Sequence, residues 1–269
     1  MITVIVITKN EEEMIKACLE SVKWADEIIV ADNGSTDGTL EIVRKYTDNI
    51  VKFEGQDFAG LRNKALERVS GDWVLYVDSD ERVLEPLKEE ILKLVQNGEH
   101  SAYAISRKNI IFGKQVNYGS YKHDWVVRLF KRSEFDEYTG KVHETPHFKG
   151  KLGYTKNSLL HLTHRGVDQI VLKSLSWSNI DAKLRLDANH PKMSGWRFLR
   201  IFLTETFNQG IIKRGFFNGD VGIMDSLLQA FSMYMTYVRL WQMQQSKSLD
   251  ETYKDIDKKL LENNFKLSD

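Results

Sequence analysis

Apolar residues in the first hundred positions alternate between short continuous runs and stripes of helical period. Ile2–Thr8 is a β-rich run, followed by Glu27–Ala31, Ile50–Phe53 and Trp73–Val77. Between the first two, Met14, Ile15, Cys18, Leu19 and Val22 recur at three- and four-residue spacing, which predicts a helix over Glu12–Val22. Further helices are expected over Thr39–Tyr46, Phe58–Val69 and Glu85–Gln96. Repeated β–α units imply a parallel sheet with right-handed crossovers. Ligands of such sheets bind outside the carboxyl ends of the strands, so each strand end is a place to look for chemistry.

The pattern changes after Ser101. Short β-like runs (Ala102–Ser106, Trp125–Phe130, Leu159–Leu162) sit among Gly, Asn, His and aromatic residues, and predict an antiparallel or mixed extension. From Val167 the period is helical: Val167–Leu186, a break at Pro191 and Gly195, then Trp196–Asn208 and Ser226–Gln244, with a charged tail Ser246–Asp269 expected as a fraying helix. The expected division is an α/β domain over residues 1–165 (1–100 and an extension, 101–165) and a helical region over 166–269.

Composition narrows the function classes. Lys plus Arg and Asp plus Glu both number 38, so nothing points to a nucleic-acid partner. One cysteine, Cys18, excludes an internal disulfide and fits a reducing compartment. The first residues lack the basic region and cleavage site of a signal peptide, and Ser226–Val238 is too short to span a bilayer. A cytoplasmic protein is expected. Basic and large apolar residues interleave in Trp196–Phe202 and Ile211–Phe217, which reads either as a helical core with outward arginines or as peripheral contact with a membrane.

The strand ends carry the candidate chemistry. Trp73–Val77 runs into Asp78-Ser79-Asp80. Continued strand alternation would project Asp78 and Asp80 to one side, where like charges need a cation or hydrogen bonds. Hard oxygen donors suit Mg²⁺ or Mn²⁺; the alternative is an acidic surface turn. Thr8-Lys9-Asn10-Glu11 follows the first strand and serves either to contact a base or ribose or to cap the next helix. After the second strand, Asp32-Asn33-Gly34-Ser35-Thr36-Asp37-Gly38-Thr39 places a carboxylate where it can accept a hydrogen bond from a uracil or ribose. It is neither a P-loop nor a Gly-x-Gly-x-x-Gly fingerprint, which disfavours a nicotinamide dehydrogenase. Arg62-Asn63 reads as a base or diphosphate contact with a loop-fixing amide, or as a solvated basic face.

Taken along the chain, Thr8-Lys9-Asn10-Glu11, Asp32 to Thr39, Arg62-Asn63 and Asp78-Ser79-Asp80-Glu81 resemble, in order and position, the motifs of the family 2 glycosyltransferases. The later residues Arg128-Leu129-Phe130 and Val142-His143-Glu144, with the helical C-terminus, resemble the branch of bacterial lipopolysaccharide-core glucosyltransferases. Asn218 stands where that branch usually has Asp. The resemblance implies a GT-A fold and inverting transfer from a nucleotide sugar, UDP-linked, to a cell-envelope glycan or lipid-linked acceptor, with Mg²⁺ or Mn²⁺ as cofactor. It implies Asp80 as metal ligand and Asp78 toward the donor or, through water, the metal. Thr8, Asn10, Glu11, Asp32, Asn33, Arg62 and Ser79 would line the donor side. Glu144 takes the place of the catalytic base, with His143 as the other candidate. His161 fits a late metal ligand by position, against a packed, hydrogen-bonded histidine. The rival readings are a sugar nucleotidyltransferase, which would carry a Gly-rich basic loop after strand one, and an inactive nucleotide-sugar-binding protein.

Overall fold

The computed structural model describes residues 1–53, 58–140 and 144–262. They form two compact units, Met1–Thr163 and His164–Asp269. The first unit begins β1 (Ile2–Thr8), α1 (Ile15–Val22), β2 (Glu27–Asp32), α2 (Thr39–Val43), β3 (Ile50–Lys52), α3 (Phe58–Leu66), β4 (Trp73–Asp78), β5 (Glu81–Arg82) and α4 (Glu85–Asn97). It continues with β6 (Ala102–Ile111), β7 (Lys114–Val116), β8 (Trp125–Lys131), β9 (Phe135–Thr139), β10 (Thr145–Phe148) and β11 (Leu152–Leu162).

The main sheet has the order β3-β2-β1-β4-β8-β6-β11-β5, with β7 paired to β6. The first four strands are parallel, as the β–α alternation requires. β8 then enters antiparallel between β4 and β6, and β11 runs parallel to β6. All seven residues of β1 are buried, so both faces of the sheet are covered. Alternate side chains divide between two cores. Val4, Val6, Leu75 and Val77 pack with Ile15, Leu19, Leu87 and Ile91 of α1 and α4. Ile5, Ile7, Val74 and Tyr76 pack with Ala59, Leu61 and Ala65 of α3 and the rings of Phe130, Phe135 and Tyr138. Each fully buried aliphatic side chain is worth about 1.5–3 kcal/mol, which is why these runs dominate the pattern.

Chain order runs outward from β1 to β3 and then returns to β4 on the other side. The carboxyl ends of β1, β2 and β4 therefore flank a topological switch point. The register puts Thr8 beside Asp32 and Ile7 beside Asp78, so the residues predicted at separate strand ends stand in one row.

Several boundaries differ from the periodicity. α1 starts at Ile15, because Glu12 is drawn into hydrogen bonds with the loop after β2. The second unit comprises α5 (Val167–Asp187), α6 (Gly195–Phe207), a π-turn over Asn208–Ile212, α7 (Gly219–Met243) and α8 (Leu249–Leu261). α7 begins before the predicted Ser226. Its buried positions there are Val221, Gly222, Asp225 and Ser226, and a Cβ at Gly222 would lie 2.2 Å from the Gly215 carbonyl oxygen. That contact leaves no apolar stripe to read. In the tail, Ser248 and Glu251 form a capping box that starts α8.

Candidate active site

The loops after β1 and β2 are laced together. Ser35 Oγ accepts the Asn10 N–H at 2.9 Å, and Asn10 Oδ1 accepts the Thr36 N–H at 2.7 Å. Thr39 Oγ1 accepts the Glu11 N–H at 2.8 Å, and Glu12 Oε2 accepts the Gly38 N–H at 2.8 Å. A Cβ at Gly38 would come within 2.9 Å of the same carboxylate oxygen, so a larger residue there would displace the Glu12 side chain. Asp32 is buried and accepts the N–H groups of Gly34 (3.2 Å) and Ser35 (3.1 Å), closing a turn in which Gly34 has φ 76°. Asn33, also buried, donates its N–H to the Thr8 carbonyl. The buried Thr8 hydroxyl has no hydrogen-bond partner among the described residues.

At the end of β4 the strand stops. Ser79 and Asp80 form a turn and β5 starts at Glu81, so strand alternation does not carry through Asp80. This corrects the expectation that Asp78 and Asp80 project together. The reason is local: the buried Arg82 guanidinium donates to the carbonyls of Ser79 (2.8 Å), Glu81 (2.7 Å) and Met14 (2.9 Å), pinning the turn against the start of α1. Asp78 then pairs with arginines and Asp80 with His161.

Asp78 is bound by two arginines. Arg62 Nη2 lies 3.0 Å from one oxygen, and Arg128 Nη2 contacts the other. Burial alone would raise the Asp78 carboxyl, but Arg128 and Arg62 override it and hold it well below the usual carboxylate range. Arg62 is therefore not a solvated basic residue; its guanidinium lies over the rings of Tyr76 (5.6 Å) and Tyr138 (5.4 Å). Asn63 fixes this arrangement by exchanging two hydrogen bonds, 2.9 and 2.8 Å, with the backbone of Tyr138. Beneath Asp78, the fully buried Glu81 accepts the Asp78 N–H at 2.9 Å and lies 3.5 Å from Arg107 and 3.6 Å from Arg128. Burial pushes the Glu81 carboxyl up.

Asp80 faces His161: Oδ2 and Nε2 are 3.3 Å apart. The β5–β11 and β6–β11 registers place His161 opposite Glu81 and Asn109. His161 Nδ1 lies 2.6 Å from Asn109 Oδ1, Asn109 Nδ2 donates to Asp124 at 2.9 Å, and Arg107 clamps Asp124 with contacts of 2.9 and 2.7 Å. His164 lies outside this group, 3.9 Å from Asp225 in the second unit. Ser79 is buried in the turn and donates its N–H to Ile7. Glu144, half-buried, immediately precedes β10, and its charge acts on Tyr138, the ring beside Arg62. His143 lies outside the described residues. Cys18 is buried, and its thiol, 3.6 Å from the Asp78 carbonyl, is pushed up by burial.

The sequence profile of glycosyl transferase family 2 matches residues 3–152, more than half of the chain. The chain belongs to glycosyl transferase family 2. The protein is thus a glycosyltransferase, and its fold is α/β with a mixed central sheet. It is 26% identical over 259 residues to an uncharacterized glycosyltransferase of Rickettsia conorii, covering 89% of each chain. It is 26% identical over 252 residues to the lipopolysaccharide core biosynthesis glycosyltransferase LpsC of Rhizobium meliloti, covering 88% of this chain and 90% of that one. It is 30% identical over 207 residues to the prophage-derived glycosyltransferase SunS of Bacillus subtilis, covering 73% of this chain and 47% of that one.

In this family 2 glycosyltransferase, the two residues expected to hold a divalent cation, Asp80 and His161, stand next to each other. One carboxylate oxygen and one imidazole nitrogen converge there, a donor set suited to Mn²⁺ or Mg²⁺. Among the described residues no third His, Cys, Asp or Glu completes a cluster. Diphosphate oxygens and water would fill the remaining positions, as is usual for these ions. The residues that sequence reasoning did not assign are Glu81, Arg107, Asn109, Asp124 and Tyr138. A signal existed for two of them: Arg107 and Asn109 sit two apart beyond the apolar run Ala102–Ser106, the spacing of one strand face.

Proposed function

We propose that this glycosyltransferase transfers a sugar from a UDP-linked donor, with inversion, to a glycan or lipid-linked acceptor of the cell envelope. The observation that carries this reading is the pairing of Asp80 with His161 at the switch point, beside the laced loops bearing Thr8, Asn10, Glu11, Asp32 and Asn33. Asp80 and His161 would hold the divalent cation, which when bound neutralises charge on the departing diphosphate. Thr8, whose buried hydroxyl has no partner among the described residues, and Asp32, Asn33 and Ser79 line the donor side. Asp78 remains 28% exposed between its arginines and keeps lone pairs for a ribose or sugar hydroxyl. Glu144 takes the proton of the acceptor hydroxyl; that oxygen bonds to the anomeric carbon as the bond to the diphosphate oxygen breaks on the opposite face.

The test is UDP release from a panel of UDP-sugars with Mn²⁺ and an acceptor extract. Glu144→Gln is expected to lower kcat about a hundredfold with little change in donor KM. Unchanged kcat would remove Glu144 from the role. No nucleotide release from any nucleoside-diphosphate sugar would overturn the transfer reading.

The second unit bears on the acceptor. Trp196, Leu199, Leu203 and Phe207 recur at helical spacing on α6 and are all exposed, Trp196 by 70%; Phe217 beyond the π-turn is 69% exposed. Residues 191–219 hold five basic side chains (Lys192, Arg197, Arg200, Lys213, Arg214) and one carboxylate, Glu205, in a chain of zero net charge. An anionic bilayer surface matches both the apolar face and the charge. No helix among the described residues is long and apolar enough to cross a membrane, so the contact would be peripheral. Flotation with vesicles containing phosphatidylglycerol is expected, with Arg197→Glu weakening binding about fivefold or more (~1 kcal/mol per charge). Absence of flotation with anionic and neutral vesicles alike would end the membrane reading. Concentration-dependent dimerisation lost in Trp196→Ala would assign the face to a second copy instead.

A further inference from the structure

The contacts around His161 fix which of its ring nitrogens is free. Asp124 is clamped by Arg107 through both oxygens, and the Arg107 pairing draws its carboxyl down against the effect of burial. An ionised carboxylate only accepts hydrogen bonds, so the group that Asn109 turns toward Asp124 is its NH₂. The Asn109 carbonyl oxygen must then face His161, 2.6 Å from Nδ1. A carbonyl oxygen cannot donate, so the proton between them belongs to Nδ1. In the neutral ring the Nε2 lone pair therefore points at Asp80 Oδ2, 3.3 Å away. Two lone-pair-bearing atoms aimed at each other at this distance repel unless a positive group lies between them.

We infer that Asn109, oriented by Asp124 and Arg107, is a positioning residue: it holds His161 in the Nδ1–H tautomer so that Nε2 is presented, together with Asp80, to the cation. This rests on the proposed role of Asp80 and His161 as the cation-holding pair. Asn109 is buried and belongs to β6, and the β6–β11 register sets it directly beside His161. Its described side-chain contacts are with Asp124 and His161, so its action on the cation runs through the imidazole. An outer partner that fixes the ring of a metal-binding histidine contributes about 10- to 100-fold to metal affinity.

The test is Mn²⁺ binding to the full chain in the presence of UDP, read by electron paramagnetic resonance of free Mn²⁺, for wild type, Asp80→Ala, His161→Asn and Asn109→Leu. Asn109→Leu is expected to weaken Mn²⁺ binding about 10- to 100-fold while UDP binding without metal stays unchanged. If Asp80→Ala and His161→Asn lose Mn²⁺ and Asn109→Leu does not, the positioning role is wrong and the cation pair stands. If Asp80→Ala and His161→Asn bind Mn²⁺ like wild type, the pair itself is wrong and the inference falls with it. A measurement on the unaltered protein covers the case in which Asn109→Leu does not fold. In the diamagnetic Mg²⁺–UDP complex, ¹H–¹⁵N correlation of the His161 ring, assigned by its loss in His161→Asn, is expected to show the proton on Nδ1. A proton on Nε2 would overturn the inference.

Discussion

Asp80→Ala is expected to lower metal-dependent turnover of the sugar nucleotide roughly a thousandfold (~4 kcal/mol). The side chain carries the carboxylate oxygen that faces His161 at 3.3 Å, the oxygen proposed to hold the cation. Its backbone keeps a separate structural task, since the Asp80 carbonyl accepts the Leu162 N–H at 2.9 Å and that bond survives truncation. Urea unfolding should therefore remain within about 1 kcal/mol of wild type, as for half-buried side chains without a buried partner to strand. Chelation of the wild type should produce the same loss, reversed by added Mn²⁺. Full metal-dependent turnover in Asp80→Ala would show that the cation is anchored elsewhere.

The largest expected loss of stability is at Arg128. Among the described residues, Arg128→Met leaves Asp78 with Arg62 alone and Glu81 with Arg107 alone. Removing one member of a buried ion cluster strands the others, and should cost about 3–5 kcal/mol in urea unfolding at pH 7.5. The pH dependence follows from the two carboxyls. Asp78 titrates below its ordinary value, so its contribution is present above about pH 4 and is lost as pH falls through the folded value. Glu81 titrates above its ordinary value, so its charge opposes folding near neutrality and that cost is relieved on acidification. With Arg128 gone the Glu81 effect should dominate, and the variant should recover part of its deficit between pH 7.5 and pH 5. Adding Glu81→Gln should recover a comparable part at pH 7.5. A deficit below about 1 kcal/mol, or one equal at both pH values, would mean that water rather than Arg128 compensates these charges.

The parts of the fold that could be read directly were those whose burial is complete. β1 and β4 are apolar on both faces because helices cover both sides of the sheet, so the runs Ile2–Thr8 and Trp73–Val77 are visible without their partners. The strand-end loops were legible as chemistry because Asp, Asn and Ser at the ends of apolar runs have no place in a core. Ends of helices were read less well. Glu12 looked like the first turn of a helix, yet its carboxylate is committed to Gly38, twenty-six residues away.

Local sequence pattern is enough to make this glycosyltransferase an α/β protein and to point to the carboxyl ends of the first, second and fourth strands as its candidate site. Alternation, burial period and turn chemistry are local properties, and they extend over enough residues to be unambiguous. Only the tertiary structure decided how the acidic junction is neutralised. Arg128 reaches Asp78 because β8 inserts antiparallel beside β4, and Asn109 reaches His161 because β6 and β11 pair in one register. Pairings across fifty residues leave no period in the chain. An ion pair or a tautomer depends on which atoms meet within about 3 Å, and that is set by strand order and register rather than by any segment alone.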